Sequence, residues 1–296
     1  SHDRIFRMNL FTMHGIPHGV WVRRMRNKHL SLFDRGMAWV EKKGLTGPPV
    51  PMVLPVSTLV KDELQRSYPV SESHIKVIHP GVSLERFAEM GNHDYRQEIR
   101  TRHGINKEDL VILFVGMNFE IKRLGLLIES ISRLTPGDGD GSATKLLVVG
   151  KGKETAYMDM AREYGVANRL IFAGVTREVE KYYFASDIFA MPSVYDTFGM
   201  AVLEAMAARL PVIISRTVGA GDLVNDGVEG FVLDDPPTAT ELSKKIKFLS
   251  NEENRLKMGE RARQQALKHD WDRVADQMAT LYLTHLRGGP TSPHEK

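Results

Sequence analysis

The sequence predicts an α/β protein in two units, the second built on a buried parallel sheet. Three observations carry that prediction. A length of 296 residues suits two domains at roughly 150 residues each. From residue 111 onward, short uninterrupted apolar runs alternate with helical stretches. Each run ends at Gly, Pro, Ser or Asp. Unbroken apolar runs fit strands covered on both faces, and their alternation with helices is the pattern of a doubly wound sheet.

Taken in order, the first hundred residues carry a weaker form of this rhythm. A long basic helix is expected over residues 20–43, a strand over 51–54, a helix over 59–66 and a strand over 75–78 ending at Pro80 and Gly81. The polar stretch 89–107 reads as a linker, giving units 1–107, linker included, and 108–270. Strands are expected over 111–115, 146–149, 170–173, 188–191, 212–214 and 231–233. Helices are expected over 124–133, 155–164, 178–185, 200–209 and 240–250. Near the end, Trp271, Val274, Ala275, Met278, Leu281, Tyr282 and His285 fall at helical spacing, so 271–296 reads as an amphipathic helix and a frayed Gly/Pro-rich tail.

Composition narrows the function. With no Cys there is no disulfide, thiolate zinc site, iron–sulfur cluster or Cys nucleophile, and a reducing, cytoplasmic setting fits. No apolar run reaches the roughly 18–20 residues that span a bilayer. The net charge is +3, but residues 1–50 hold nine Lys/Arg against three Asp/Glu. This marks a basic N-terminal surface rather than a nucleic-acid-binding chain. The run from Arg23 to Lys28, beside Val20, Trp21 and Val22, suits either an anionic membrane surface or a solvated helix face.

Ligands of open parallel sheets bind beyond the carboxyl ends of the strands. Those tips hold Gly116, Met117, Asn118, Lys122 and Arg123, then Gly150 and Lys151, then Gly174, Val175 and Thr176. The fourth holds Asp196, Thr197, Phe198 and Gly199, leading into Met200 and Ala201. Glycines beside cations suit a phosphate-bearing ligand, although both are also common in plain surface loops. Glu204 stands alone in an otherwise apolar helix. It suits the vicinal diol of a ribose, or a structural pair with Arg209 or a nearby Lys. Asp196 lies eight residues earlier, and Gly199 would open the helix, where free N–H groups favour a phosphate.

The stretch from Tyr195 to Val212 (YDTFGMAVLEAMAARLPV) resembles the signature of the family 4 retaining glycosyltransferases, Glu-x7-Glu followed by small residues and Gly-x-Pro-Val. Residues 56–64, 75–82, 114–125 and 218–231 resemble further segments of that family, and the likeness runs from roughly 18 to 286. Its nearest flavour is that of lipopolysaccharide core glucosyltransferases. The resemblance implies two Rossmann-like domains of GT-B type and transfer of a sugar, from a UDP-sugar by preference, to a glycan or lipid-linked acceptor with retention. By the same resemblance Lys122, with Arg123, neutralises the diphosphate. Glu204 binds the ribose, and Asp196 with the backbone of Phe198, Gly199 and Met200 contacts the sugar. Gly174, Val175 and Thr176 hold the base. No metal or other cofactor is expected, because cations and a helix N-terminus stabilise the leaving diphosphate. His14 and His18 correspond to acceptor-side histidines of the family, or are ordinary surface histidines.

Four departures from the family pattern stand out. Asp196 replaces the usual Glu, Arg209 the usual Gly, and Met117 a second phosphate-binding Arg. The N-terminal unit also reads as incomplete. The expectation is a chain that binds sugar nucleotide, transfers poorly, and covers an open sheet by dimerisation or with a partner. A sugar-nucleotide epimerase and a non-catalytic nucleotide-sugar-binding module are the rival readings. The pair Asp138 and Asp140, which looks like a metal-binding D-x-D, reads as a turn after Pro136-Gly137.

Overall fold

A computed structural model describes residues 8–88, 94–134 and 143–287. Asp138 and Asp140, residues 89–93 of the expected linker and the tail beyond 287 lie outside the described residues.

The N-terminal unit is built on two parallel strands, β1 (Leu10–Met13) and β2 (Met52–Pro55), paired from Leu10 with Met52 to Met13 with Pro55. Strand β1 has no range among the expected elements, because Asn9 and Thr12 keep its apolar runs to two residues. Two helices, α1 (His18–Met25) and α2 (Leu32–Thr46), connect the strands, and α3 (Thr58–Ser67), α4 (Glu85–Ala88) and α5 (Tyr95–Arg102) follow β2. The single helix expected over 20–43 is therefore divided. Asn27 adopts a left-handed φ of 48°, and Ser31 starts a new helix with a capping box. The Ser31 hydroxyl accepts the Asp34 N–H while the Asp34 carboxylate takes the Ser31 N–H.

Residues 75–78 form no full strand. They run beside β2, with Lys76 N–H donating to Val53 and Ile78 N–H to Pro55. The bond between these two would need an N–H at position 55, which proline lacks, so the ladder is reduced to an isolated bridge.

The C-terminal unit is a six-stranded sheet of β3 (Leu110–Gly116), β4 (Thr144–Gly150), β5 (Leu170–Gly174), β6 (Ile188–Met191), β7 (Val212–Ser215) and β8 (Gly230–Leu233). The strand order is β5-β4-β3-β6-β7-β8, every pair parallel. The order reverses between β3 and β6, the switch point where a doubly wound sheet opens a crevice. Side chains alternate between the two faces. Ile112, Phe114, Leu146, Val148 and Ile213 pack with Leu124, Leu127, Ile128, Leu242 and Ile246. Val111, Leu113, Leu147, Phe189 and Ile214 pack with Tyr183, Val202, Leu203 and Met206.

The helices lie on both faces of the sheet, α6 (Leu124–Ser132), α7 (Glu154–Glu163) and α10 (Ala239–Ser250) on the first and α8 (Val179–Ala185) and α9 (Met200–Ala207) on the second. A further helix, Glu252–Ala266, was not expected, because most of its residues are polar and its buried face includes only Met258, Ala262 and Ala266 besides a glycine. Its one sequence signal is the cap at Asn251, whose side chain accepts the Asn254 N–H.

Between the units, the described part of the polar stretch is helical over Tyr95–Arg102. Arg100 is buried there, donating to the carbonyls of Ala185, Asn106, Lys107 and Asp109 and pairing with Asp187 at 2.7 Å. The stretch is thus docked on the C-terminal unit despite its polar sequence. The last helix, Trp271–Arg287, returns to the N-terminal unit, where Val274, Met278 and Leu281 cover Leu10, Leu54 and Ile78.

The substitution of Arg209 for the family's glycine has a visible consequence at the end of α9. Leu210 N–H reaches the Ala205 carbonyl and Arg209 N–H the Met206 carbonyl, the two bonds of a Schellman cap. Arg209 holds the left-handed φ of 63° that this cap requires. Glycine adopts that conformation freely, whereas a side chain there costs about 1–2 kcal/mol. The Arg209–Glu260 pair, at 3.1 Å on the surface, offsets little of it. We expect Arg209→Gly to stabilise the fold by about 1 kcal/mol in urea denaturation, and a lower midpoint would contradict this account of the cap.

Candidate functional site

The carboxyl ends of both sheets point into one cleft. The segments after β1 and β2 face those after β3 and β6. The two sides are tied where Ser57 Oγ donates to the Thr197 carbonyl at 2.6 Å and Thr58 N–H to Asp222 at 2.6 Å. His79 Nε2 lies 2.9 Å from the same Asp222 carboxylate.

The cleft has two lobes. The larger, about 750 Å³, is lined by Gly15, Ile16, His18, Trp21, Met25 and Arg26 from one side and Asn118, Ile121, Lys122, Tyr195, Asp196 and Thr197 from the other. The smaller, about 590 Å³, is lined by His14, Val56, Pro80 and Trp271, facing Gly116, Lys122, Met191, Asp196, Thr197, Phe198, Gly199, Met200, Ala201 and Glu204, with Val115 behind. Lys122, Asp196 and Thr197 border both lobes.

At that junction Lys122 and Asp196 form an ion pair, and Lys122 Nζ also lies 3.6 Å from the Met191 sulfur. The segment from Asp196 to Gly199 is fixed in place by its backbone. Asp196 N–H donates to the Thr217 carbonyl, and the N–H groups of Gly219 and Ala220 reach the carbonyls of Asp196 and Phe198. Gly199 holds φ at 89°, and a Cβ there would meet the Met191 methyl at 2.7 Å. Only glycine fits, and it opens α9, whose first residues Met200 and Ala201 line the smaller lobe.

Glu204 lies one turn further along α9. Its partner is neither Arg209, which pairs with Glu260, nor a lysine. The buried Tyr183 hydroxyl donates to its Oε2 at 2.8 Å. Burial pushes the Glu204 carboxyl above the ordinary carboxylate range, the Tyr183 bond and Arg86 pull it back, and Glu180 adds to the rise. Tyr183, itself pushed far up by burial and by Glu204, escaped the sequence reasoning because nothing marks it among the aromatic residues of α8.

The other candidates divide. His14 lines the smaller lobe with Glu204, and His18 lines the larger. His18 is held by Asp34 at 2.9 Å. Asn118 borders the larger lobe, and its side chain accepts the Ile121 N–H. Met117, Arg123, Gly150, Lys151, Val175 and Thr176 line neither lobe. Arg123 instead points at the carbonyls of Pro192 and Ser193, and Met117 and Val175 are open to solvent. Trp21, Arg26 and Tyr195 were not among the expected site residues. Arg26 lies 4.3 Å over the Trp21 ring, a stacking that a five-residue spacing in sequence does not announce. Among the described residues no group of three or more His, Asp or Glu is disposed to hold a metal ion.

The family model described as Glycosyl transferases group 1 matches residues 95–265, more than half of the chain. The chain belongs to the group 1 glycosyltransferases. A second model, Glycosyltransferase Family 4, matches residues 9–86 of this glycosyltransferase chain, so both sides of the cleft fall within the family. A D-inositol 3-phosphate glycosyltransferase of Corynebacterium glutamicum is 30% identical over 237 residues, covering 78% of the chain and 56% of the relative. The chain spans about half the length of the curated relatives it matches. Among solved structures, WaaG, a glycosyltransferase involved in lipopolysaccharide biosynthesis, superposes with a TM-score of 0.79 at 21% identity, covering 94% of the chain and 76% of WaaG. Anabaena HepE, solved with UDP and glucose, superposes with a TM-score of 0.76 at 18% identity, covering 93% and 71%. These likenesses establish the GT-B fold expected from the sequence.

Proposed function

We propose that this glycosyltransferase moves a hexose from a UDP-sugar to a glycan or lipid-linked acceptor, with retention at the anomeric carbon. The observation that carries the reading is the convergence of Lys122, Asp196, the start of α9 and Glu204 on one 590 Å³ lobe. Lys122 and the α9 amides receive the diphosphate, Glu204 accepts two hydrogen bonds from the ribose, and Asp196 contacts the sugar. The donor is favoured as UDP-linked because HepE holds UDP and glucose on the same fold. The larger lobe, across Lys122 and Asp196, takes the acceptor.

In this reading no side chain acts as a covalent nucleophile. The acceptor oxygen attacks the anomeric carbon on the face the diphosphate leaves. The carbon–oxygen bond to the β-phosphate breaks as the new glycosidic bond forms. The hydroxyl proton passes to the departing phosphate oxygen. Lys122 and the helix N-terminus supply the charge stabilisation, so the reaction needs no metal.

Incubation of the chain with labelled UDP-sugars and a lipid-linked acceptor tests the reading. Transfer that persists in excess EDTA, with product of the donor's anomeric configuration by NMR, is the expected result. UDP should also raise the melting temperature more than GDP or ADP does. Dependence on a divalent ion, or inverted product, would overturn the metal-free retaining route.

A further inference from the structure

We propose that the outer face of α1 and α2 docks on an anionic lipid surface and brings the larger lobe to a membrane-held acceptor. The inference rests on the glycosyltransferase reading only for its second half. Leu32 is 86% exposed, Phe33 72% and Trp39 54%, all on α2. Leu32, Arg35, Trp39, Lys42 and Lys43 follow one another at three- and four-residue steps or lie adjacent, so they form one stripe along that helix, with Phe33 beside its start.

The charges of this region are sorted by the fold. Between residues 18 and 46 there are two acids, Asp34 and Glu41. Both turn inward. Asp34 is held by His18 and Ser31, and Glu41 is 2% exposed and accepts from the His18 N–H and the Tyr68 hydroxyl. Arg23, Arg26, Lys28, Arg35, Lys42 and Lys43 remain exposed. The outward charge on these two helices is therefore wholly positive, while large apolar side chains stand among the cations.

A purely solvated helix face gives no reason for Leu32, Phe33 and Trp39 to be exposed together. A second copy would present the same positive face and be repelled. An anionic bilayer satisfies both features, with cations at the headgroups and apolar side chains below them. The face adjoins the cleft through α1, which carries the exposed Arg23 and sends Trp21 and Met25 into the wall of the larger lobe, with Arg26 just beyond its end. Docking would thus set the mouth of that lobe against the lipid surface.

Co-sedimentation of the chain with phosphatidylcholine vesicles, with and without phosphatidylglycerol, tests this. Each cation at an anionic surface is expected to multiply affinity about five-fold. Pelleting should depend on phosphatidylglycerol and fade with added salt. The paired change Leu32→Ser and Phe33→Ser should weaken it about ten-fold, and Arg35→Glu with Lys42→Glu should abolish it. Both variants should keep the wild-type melting temperature and UDP affinity, since none of these residues lines the donor lobe. Equal pelleting with neutral vesicles, no pelleting at low salt, binding to heparin alone, or dimerisation by light scattering that the Leu32/Phe33 variant removes would each overturn the proposal. Failure of the glycosyltransferase reading would appear separately, as absent UDP binding or transfer with vesicle binding intact.

Discussion

Lys122→Ala is expected to weaken UDP binding by about 2–3 kcal/mol, roughly 30- to 150-fold, while leaving uridine binding nearly unchanged. Two effects add. The variant removes a charge-assisted contact to the diphosphate. It also leaves the Asp196 carboxylate, now the partner of Lys122, without its cation at the place the phosphates must occupy. The double variant Lys122→Ala with Asp196→Asn removes that second, repulsive part, so it should bind UDP better than Lys122→Ala alone. Titration calorimetry with UDP and uridine measures both. Equal losses for the two ligands would take Lys122 away from the diphosphate.

Glu204→Ala should weaken UDP binding by about 1–3 kcal/mol, roughly 5- to 150-fold. The sharper test is Glu204→Gln, which moves affinity and stability in opposite directions. An acid whose folded pKa is raised contributes stability that is fully present below its ordinary value of 4.5 and is lost as pH rises through the raised value. At pH 8 the ligand-free Gln variant should therefore be at least as stable as the wild type, and the difference should close toward pH 4. UDP affinity of the wild type should fall as pH drops through the raised pKa, because the neutral carboxyl is a poorer acceptor for a diol. The Gln variant should keep only the dependence that protonation of the UDP phosphate itself imposes. A Gln variant that melts lower and binds UDP as before would make Glu204 a structural residue held by Tyr183.

The C-terminal sheet was legible because its strands are buried on both faces. That condition writes itself as unbroken apolar runs, and β3 to β8 all stand within two residues of where those runs lie. Glu204 was legible for the converse reason, as a charge in an apolar helix. The N-terminal unit was harder. Strand β1 has no apolar run longer than two residues, the break at Asn27 lies in a basic run that keeps helical composition, and residues 75–78 lose strand character to a single proline on the neighbouring strand. The helix Glu252–Ala266 hides because it packs through small side chains. The cleft itself is a tertiary property. Nothing local marks Trp21 and Arg26 as cleft residues or Tyr183 as the partner of Glu204.

The return of the last helix to the N-terminal unit means that the halves of this sequence are not the halves of the molecule. The chain crosses between the units outward near Val82 and back near Asp270, and the two crossings touch, with Val82 N–H on the His269 carbonyl. Gly81 lies so close that a Cβ would meet the Trp271 backbone at 2.7 Å. Severing the chain after residue 107 would strip Leu10, Leu54 and Ile78 of the cover that Val274, Met278 and Leu281 provide. The two pieces would have to be made together, or mixed, for the first to fold. The paired crossing ties the two units at one seam, through two passages of chain that are bonded to each other.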